Sequence, residues 1–178
     1  MRPPLAVRVG RHSPVGQDAL LADVFSAFAA DLAATPTISL RAGNELDDYK
    51  QASRFEPAAD AISDAYLESY HWGIAHLDAA SWRHYLPYLI EYALRHRDNG
   101  SLVVDSLLHS LRPPDREPPR LASLSCRQES LITQFLETLA FGESSVHQDL
   151  ACQVLDEWWL PNALYRAAAK SRPAPPSS

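Results

Sequence analysis

The stretch "DAASWRHYLPYLIEYALRHRDNG" (residues 78–100) carries the densest apolar pattern in the chain. Its large side chains recur three and four residues apart, which is the spacing of one helix face. The apolar set is Leu86, Leu89, Ile90, Ala93 and Leu94, and it is widened by Tyr85, Tyr88 and Tyr92. Because such a helix leaves little surface for water, we predict that it is the central helix of the fold.

Two residues set the expected course of this segment. Asp78 has the side chain to cap a helix that starts directly after it. Pro87 lacks an N–H group and pushes the preceding Leu86 away from helical angles. We therefore expect a break or kink near Leu86, with Pro87 as the first residue of a second helix.

Helical spacing recurs on both sides of this segment and predicts an all-α, compact single-domain bundle of about six to seven helices. Ser125 and Gln128 match the capping box that starts one of these helices. The further helical stretches are residues 17–34, about 58–71, 101–111, 125–141 and from about 144 to a bend at Pro161. Residues 36–55 lose the period and contain Gly43-Asn44, so we expect a loop with at most a short extended piece at 38–40.

The chain ends differ from the rest in composition. The 178 residues are 46% hydrophobic, which suits one domain, predicted here over residues 17–169. Residues 1–16 are expected to form a flexible arm, and the proline-rich residues 170–178 a disordered tail.

Charge narrows the classes of partner. All 22 acidic residues lie between Asp18 and Glu157, so residues 17–169 carry them against 11 of the 16 basic residues, a net charge of −11. Such a body repels phosphate backbones, which argues against direct binding to nucleic acid and favours a basic protein partner. Without a long apolar run or a signal sequence, we expect a cytoplasmic protein that does not bind membranes. Its oligomeric state stays open.

Candidate catalytic patterns are weak. Glu68 and His71 have the Glu-x-x-His spacing of di-iron helices, but the second pair that such sites need is missing. Cys126 and Cys152 fit no disulfide framework or C-x-x-C motif, and we interpret both as reduced thiols. The chain has six glycines and no Gly-rich phosphate loop. We therefore expect no catalytic residues, no metal and no cofactor, while an enzyme of unrecognised type with a Glu68/His71 site remains an alternative.

The strongest functional pattern is a row of acids. If residues 56–71 form a helix, Glu56, Asp60, Asp64 and Glu68 stand in one line on it. Like charges at this spacing destabilise a helix, and no Lys or Arg occurs from Phe55 through Trp82 to compensate. On this interpretation, lysine in place of both Asp64 and Glu68 leaves stability unchanged or raises it slightly.

The row predicts a partner-binding surface. Its predicted members are Asp47, Asp48, Glu56, Asp60, Asp64, Glu68 and His71. Complementary charge would speed association with a basic partner and reject others. We therefore expect a non-enzymatic acidic binding protein that occludes a basic surface, most economically an immunity or antitoxin-type inhibitor of a toxin. A scaffold or assembly subunit that buries Trp158 and Trp159 is a further alternative.

Two motifs carry a resemblance to a known family. The first comprises Trp82, Arg83, Tyr85, Leu86 and Pro87, and the second comprises Leu124, Ser125, Gln128, Phe135 and Leu136. Together they resemble a bacterial family of domains of unknown function, over about residues 18–141. The chain departs from the family pattern at His84, where an aromatic is expected, and by its C-terminal Trp-Trp helix. The resemblance implies a helical bacterial domain and supplies no mechanism.

Overall fold

The computed structural model describes residues 14–116 and 119–166, which contain no β-strand. The predicted all-α single domain is therefore confirmed. The α-helices are α1 (Pro14–Ala27), α2 (Ala29–Ala33), α3 (Leu40–Asp47), α4 (Asp64–Ser69), α5 (Ala79–Arg95), α6 (Leu102–Ser110), α7 (Cys126–Phe141) and α8 (Gln148–Val154). Two 3₁₀ helices cover His71–His76 and Leu121–Ser123, and a π-helical turn, Leu155–Trp159, continues α8. None of the helices within these ranges has the length and apolarity to cross a bilayer.

Helix α5 is the centre of the core. Trp82, Tyr85, Leu86, Leu89 and Ile90 are all fully buried, and α1, α2 and α6 pack against the helix. The Asp78 carboxylate accepts a hydrogen bond from the Ser81 N–H, which confirms the predicted cap.

The expected break near Leu86 is wrong, because α5 runs without interruption through Pro87. A proline removes one backbone hydrogen bond from a helix. Leu86 is fully buried and Pro87 is buried beside it, so core packing on this turn offsets that loss. The expectation of a break considered only the residues next to Pro87 in the sequence and did not include this packing.

Two residues of the motifs that carry the family resemblance, Arg83 and Gln128, donate to the carboxylate of Asp31. Arg83 on α5 donates to Asp31 over 2.8 Å, and the Gln128 amide donates to the other Asp31 oxygen over 3.0 Å. Arg83 also bonds Ser123. The capping box is confirmed, since the Ser125 and Gln128 side chains each accept from the other's backbone N–H. These residues tie α2, α5 and α7 together, which gives the motif a structural role.

The segment 36–55, predicted as a loop, contains helix α3. Ser39 caps it by accepting from the Ala42 N–H over 3.1 Å. Gly43 lies inside the helix because α3 packs very closely against the His71–His76 3₁₀ helix. A β-carbon at Gly43 would lie 2.5 Å from the Gly73 carbonyl oxygen, and one at Gly73 would lie 2.0 Å from that of Leu40. Gly43 therefore permits a helix crossing, whereas the sequence interpretation assigned it to a turn.

The outer boundaries also differ from the prediction. Helix α1 begins at Pro14, so the predicted arm extends too far by residues 14–16. The remainder of that arm and the predicted tail, residues 170–178, lie outside the described residues. The last helix begins at Gln148 and ends after the π-helical turn, before Pro161. Trp159 is buried there and donates its indole N–H to the Leu111 carbonyl over 2.9 Å.

The glycine crossing generates a stability prediction. Because backbone atoms on both sides would have to move, Gly73→Ala should destabilise the domain by roughly 1–3 kcal/mol or more. Gly100→Ala is the matched control, since nothing lies within 4 Å of its β-carbon position. It should change the unfolding free energy, measured in urea, by about 0.5 kcal/mol or less. Equal effects of the two substitutions would contradict the close crossing.

Candidate functional site

The predicted acidic helix is shorter than expected, and the row of four acids does not form. Helix α4 begins at Asp64, and Ser63 caps it by accepting from the Tyr66 N–H over 3.2 Å. Glu56 and Asp60 lie in the turn that precedes the helix. The cap at Ser63 therefore starts a short helix, whereas the four-residue spacing of the acids suggested a longer one.

Asp60 lies in the interior, where it pairs with Arg41 of α3. The guanidinium donates from Nε to Oδ1 over 3.0 Å and from its terminal nitrogen to Oδ2 over 2.9 Å. The Glu56 N–H and the Tyr66 hydroxyl donate to the same carboxylate over 2.8 and 3.1 Å. The Asp60 side chain is 0% exposed, so it is not available to a partner protein. The compensating cation comes from another helix, outside the interval Phe55–Trp82.

These contacts determine the ionisation of Asp60. Burial alone would raise the pKa of its carboxyl group. Hydrogen bonds from Arg41 and from the Glu56 backbone outweigh burial, and the pKa lies below its ordinary value. The folded protein thus holds Asp60 as a carboxylate, bound to a guanidinium.

Asp64 also has a partner within the domain. Arg95 of α5 donates to both Asp64 oxygens over 2.7 Å, and these hydrogen bonds lower the Asp64 pKa to about 2. The Glu68 carboxylate accepts from the Tyr92 hydroxyl over 2.9 Å. Lysine at both positions would break these contacts and place a cation beside Arg95. The expectation of unchanged or higher stability for that double substitution is therefore replaced by an expected loss.

His71 does not form a side-chain pair with Glu68. Its Nδ1 lies 2.9 Å from the Glu68 backbone carbonyl oxygen. Within the described residues, no group of three or more His, Cys, Asp or Glu side chains is arranged to hold a metal ion.

The remaining predicted residues are exposed. Asp47 bonds His76 over 2.9 Å, and Asp48 bonds Lys50 over 2.9 Å. Glu56 and Glu68 are also exposed. We call Asp47, Asp48, Glu56 and Glu68 the exposed acids. The seven predicted residues thus divide into this exposed group, an interior group of Asp60 and His71, and Asp64, which is paired with Arg95.

Sequence reasoning missed a cleft of about 500 Å³ between the His71–His76 helix, α6 and residues 112–116 and 120–121. Its lining includes His71, Trp72, His109, Arg112, Pro113, Pro114, Asp115, Arg116, Arg120 and Leu121. Trp72 is 56% exposed at this cleft. The available signal was the "RPPDREPPR" segment (residues 112–120), which places three arginines within nine residues.

Two buried nitrogen atoms of the cleft residues have no hydrogen-bond partner among the described residues: His71 Nε2 and Arg120 Nε. Arg120 is only 3% exposed, and its guanidinium donates to the carbonyls of Ala75 and Leu77. Burial, and secondarily repulsion from Arg116, lowers the Arg120 pKa to about 10. The side chain still carries its positive charge near neutral pH.

Other polar residues of the cleft are satisfied within the fold. The Asp115 carboxylate accepts from the backbone N–H groups of Arg120, Leu121 and Ala122 over 2.7–2.9 Å. Arg112 forms a two-point ion pair with Glu157 over 2.7 and 2.8 Å. Both interactions fix the walls of the cleft. The charges of Asp115 and Asp78 act on Arg120, but its guanidinium forms no ion pair among the described residues.

The geometry defines an all-α domain with a polar cleft and a set of exposed acids, without a recognisable catalytic constellation among the described residues. Its family is shown by comparison. The chain belongs to DUF6714, a family of unknown function, whose family model matches residues 16–163. This confirms the resemblance to a family of domains of unknown function. No curated protein and no solved structure matches the chain.

The interior position of Asp60 generates a prediction with a pH dependence. Asp60→Asn removes the two-point ion pair of Arg41, which keeps only a longer contact of 3.6 Å to Glu45, and should cost up to roughly 3–5 kcal/mol of unfolding free energy at pH 7. Because the folded pKa is lowered, the wild-type advantage is present above the unfolded pKa of about 4 and falls as the pH drops towards the folded pKa. Urea unfolding from pH 7 to pH 3 should therefore show the difference between the two proteins shrinking.

Asp98→Asn is the control for this experiment, because Asp98 is exposed. It should change stability by about 0.5 kcal/mol or less at every pH. A small, pH-independent effect of Asp60→Asn would contradict the buried ion pair.

Proposed function

We propose that this chain is a non-enzymatic acidic binding protein whose partner is a protein with a basic surface. The observation that carries the proposal is the division of the acids. Asp60 and Asp64 have arginine partners inside the domain, whereas Glu56 and Glu68 are exposed and have no cationic partner among the described residues. Uncompensated surface charge of one sign attracts and orients a partner of the opposite sign.

Trp72 supports the same surface. It is 56% exposed and follows Glu68 by four residues, in the helix that packs on α3. Tryptophan is enriched among the residues that carry most of the binding energy in protein interfaces. An exposed indole four residues from Glu68 would supply an apolar anchor, and the exposed acids would supply the charge that directs association.

The narrower proposal is an immunity or antitoxin-type inhibitor in the cytoplasm of a bacterium. A toxin that acts on a phosphate-bearing substrate needs a positively charged cleft, and an acidic protein of 178 residues is large enough to cover it. This role is supported by charge and size, so its test depends on identifying the partner.

The proposal predicts that charge reversal at the exposed acids abolishes one specific association. Immobilised wild-type protein and the variant Asp48→Lys/Glu56→Lys should be compared in a soluble extract of the native host. At low salt, the wild type should retain a basic protein that the variant loses. With that protein purified, the association rate should fall for the variant, and the difference should shrink as salt is added.

Glu137→Lys/Glu143→Lys is the matched control, because both residues are exposed and the change in net charge is identical. It should retain the partner like the wild type. Equal losses in both double variants would show a non-specific charge effect, and retention by all three proteins would place the interface elsewhere. Either result would contradict binding through the exposed acids.

A further inference from the structure

We propose that the cleft between the His71–His76 helix, α6 and residues 112–116 and 120–121 binds a small organic carboxylate with a flat apolar body and one hydrogen-bond donor. Arg120 receives the carboxylate, His71 accepts from the donor, and Trp72 covers the body. This site uses none of the exposed acids and shares only Trp72 with the proposed protein-binding surface, so it adds a ligand to that role.

The buried charge of Arg120 indicates an anionic ligand. A buried guanidinium normally pairs with a carboxylate or phosphate, because desolvation otherwise costs several kcal/mol. One terminal nitrogen of Arg120 donates hydrogen bonds to two backbone carbonyls. The Nε–H group has no partner among the described residues. An anionic ligand would supply both the missing acceptor and the missing negative charge.

The number of free donors decides between anions. Arg112 already has a partner in Glu157, and the Asp115 carboxylate is bound by backbone N–H groups. The Nε–H of Arg120, unpartnered among the described residues, matches a carboxylate better than a phosphate, which carries about two charges at neutral pH. The planar carboxylate also fits the geometry of a guanidinium.

The His71 ring requires a hydrogen-bond donor from the ligand. A carbonyl oxygen only accepts, so the hydrogen bond between Nδ1 and the Glu68 carbonyl places the ring proton on Nδ1. Nε2 of the neutral ring is then an acceptor, and it has no partner among the described residues. A ligand N–H or O–H group would satisfy it. His71 is 8% exposed and lines the cleft, so this is a buried rather than a solvated position.

The apolar lining of the cleft can hold the body of the ligand. Trp72, Pro113, Pro114 and Leu121 contribute apolar surface to the lining. The Trp72 and His71 rings lie with centroids 4.9 Å apart, which fixes the indole as one wall. A volume of about 500 Å³ lies within the range of sites for small molecules. A flat aromatic ring can pack on this wall while its carboxylate reaches the arginines.

Indole-3-acetate is a suitable probe because it combines a carboxylate, a flat ring and one N–H group. Isothermal titration and amide NMR shifts should show saturable binding to the full chain, with shifts at the cleft. Indole-3-acetamide, which lacks the charge, should bind at least about tenfold more weakly, since a guanidinium binds a carboxylate more strongly than a neutral amide. Inorganic phosphate at equal ionic strength should bind more weakly than indole-3-acetate.

The variants test the assignment of each residue. Trp72→Ala and Arg120→Lys should each weaken indole-3-acetate binding about tenfold, through loss of the wall and of the guanidinium geometry. The controls are Phe141→Ala and Arg127→Ala, an exposed aromatic and an exposed arginine on α7. They should leave the affinity unchanged. Because Trp72 is exposed, its variant keeps the test valid even if Arg120→Lys does not fold.

Three results would overturn the proposal. One is the absence of saturable indole-3-acetate binding up to its solubility limit. Another is equal affinity for the acetate and the acetamide, or tighter binding of phosphate. The third is affinity that Trp72→Ala leaves unchanged in a folded protein.

Discussion

The buried ion pair between Arg41 and Asp60 holds together the part of the fold on which the candidate surfaces lie. Asp60 is fully buried, and the same Arg41 guanidinium also donates to Ser53 and to the Arg54 carbonyl. One arginine thus fixes the irregular segment between α3 and α4. This segment carries Glu56 and leads into α4, which carries Glu68.

The close contact between Gly43 and Gly73 completes this arrangement. It allows α3 and the His71–His76 helix to pack backbone to backbone, and the 3₁₀ helix places Trp72 and His71 at the cleft. The Arg41–Asp60 ion pair and the Gly43–Gly73 contact therefore both hold α3 against the residues that follow it. We call this part of the fold the α3 unit. Any surface function of this unit depends on both.

The sequence predicted the fold class and the central helix because helical periodicity depends on residues close in the chain. It also predicted the Asp78 cap and the capping box of Ser125 and Gln128, which are local signals. The path through Pro87 and the helix containing Gly43 depended on contacts with distant residues, which a local pattern does not contain.

The site was less predictable for the same reason. The spacing of Glu56, Asp60, Asp64 and Glu68 suggested a single face, but burial of Asp60 beside Arg41 is a tertiary contact. Likewise, Arg95 reaches Asp64 from a helix 31 residues further along the chain. The cleft joins residues near position 71 to residues near position 120, and no sequence motif signals that meeting.

The family motif and the candidate functional residues occupy different places. Arg83 and Gln128 meet at Asp31, where they connect helices of the core. His71, Trp72 and Arg120 line the cleft, and Asp48, Glu56 and Glu68 are exposed. These two motif residues therefore serve packing in this chain, while the residues of both proposed binding surfaces lie outside the motif.

A double-mutant cycle on Arg41 and Asp60 tests the central claim most directly, namely that their buried ion pair stabilises this part of the fold. Urea unfolding would be measured for Arg41→Met, Asp60→Asn, the double variant and the wild type. The two effects should be strongly non-additive, with a favourable coupling of about 0.5–3 kcal/mol at pH 7. Additive effects would contradict the claim, because the stability that Asp60 contributes would then not depend on Arg41.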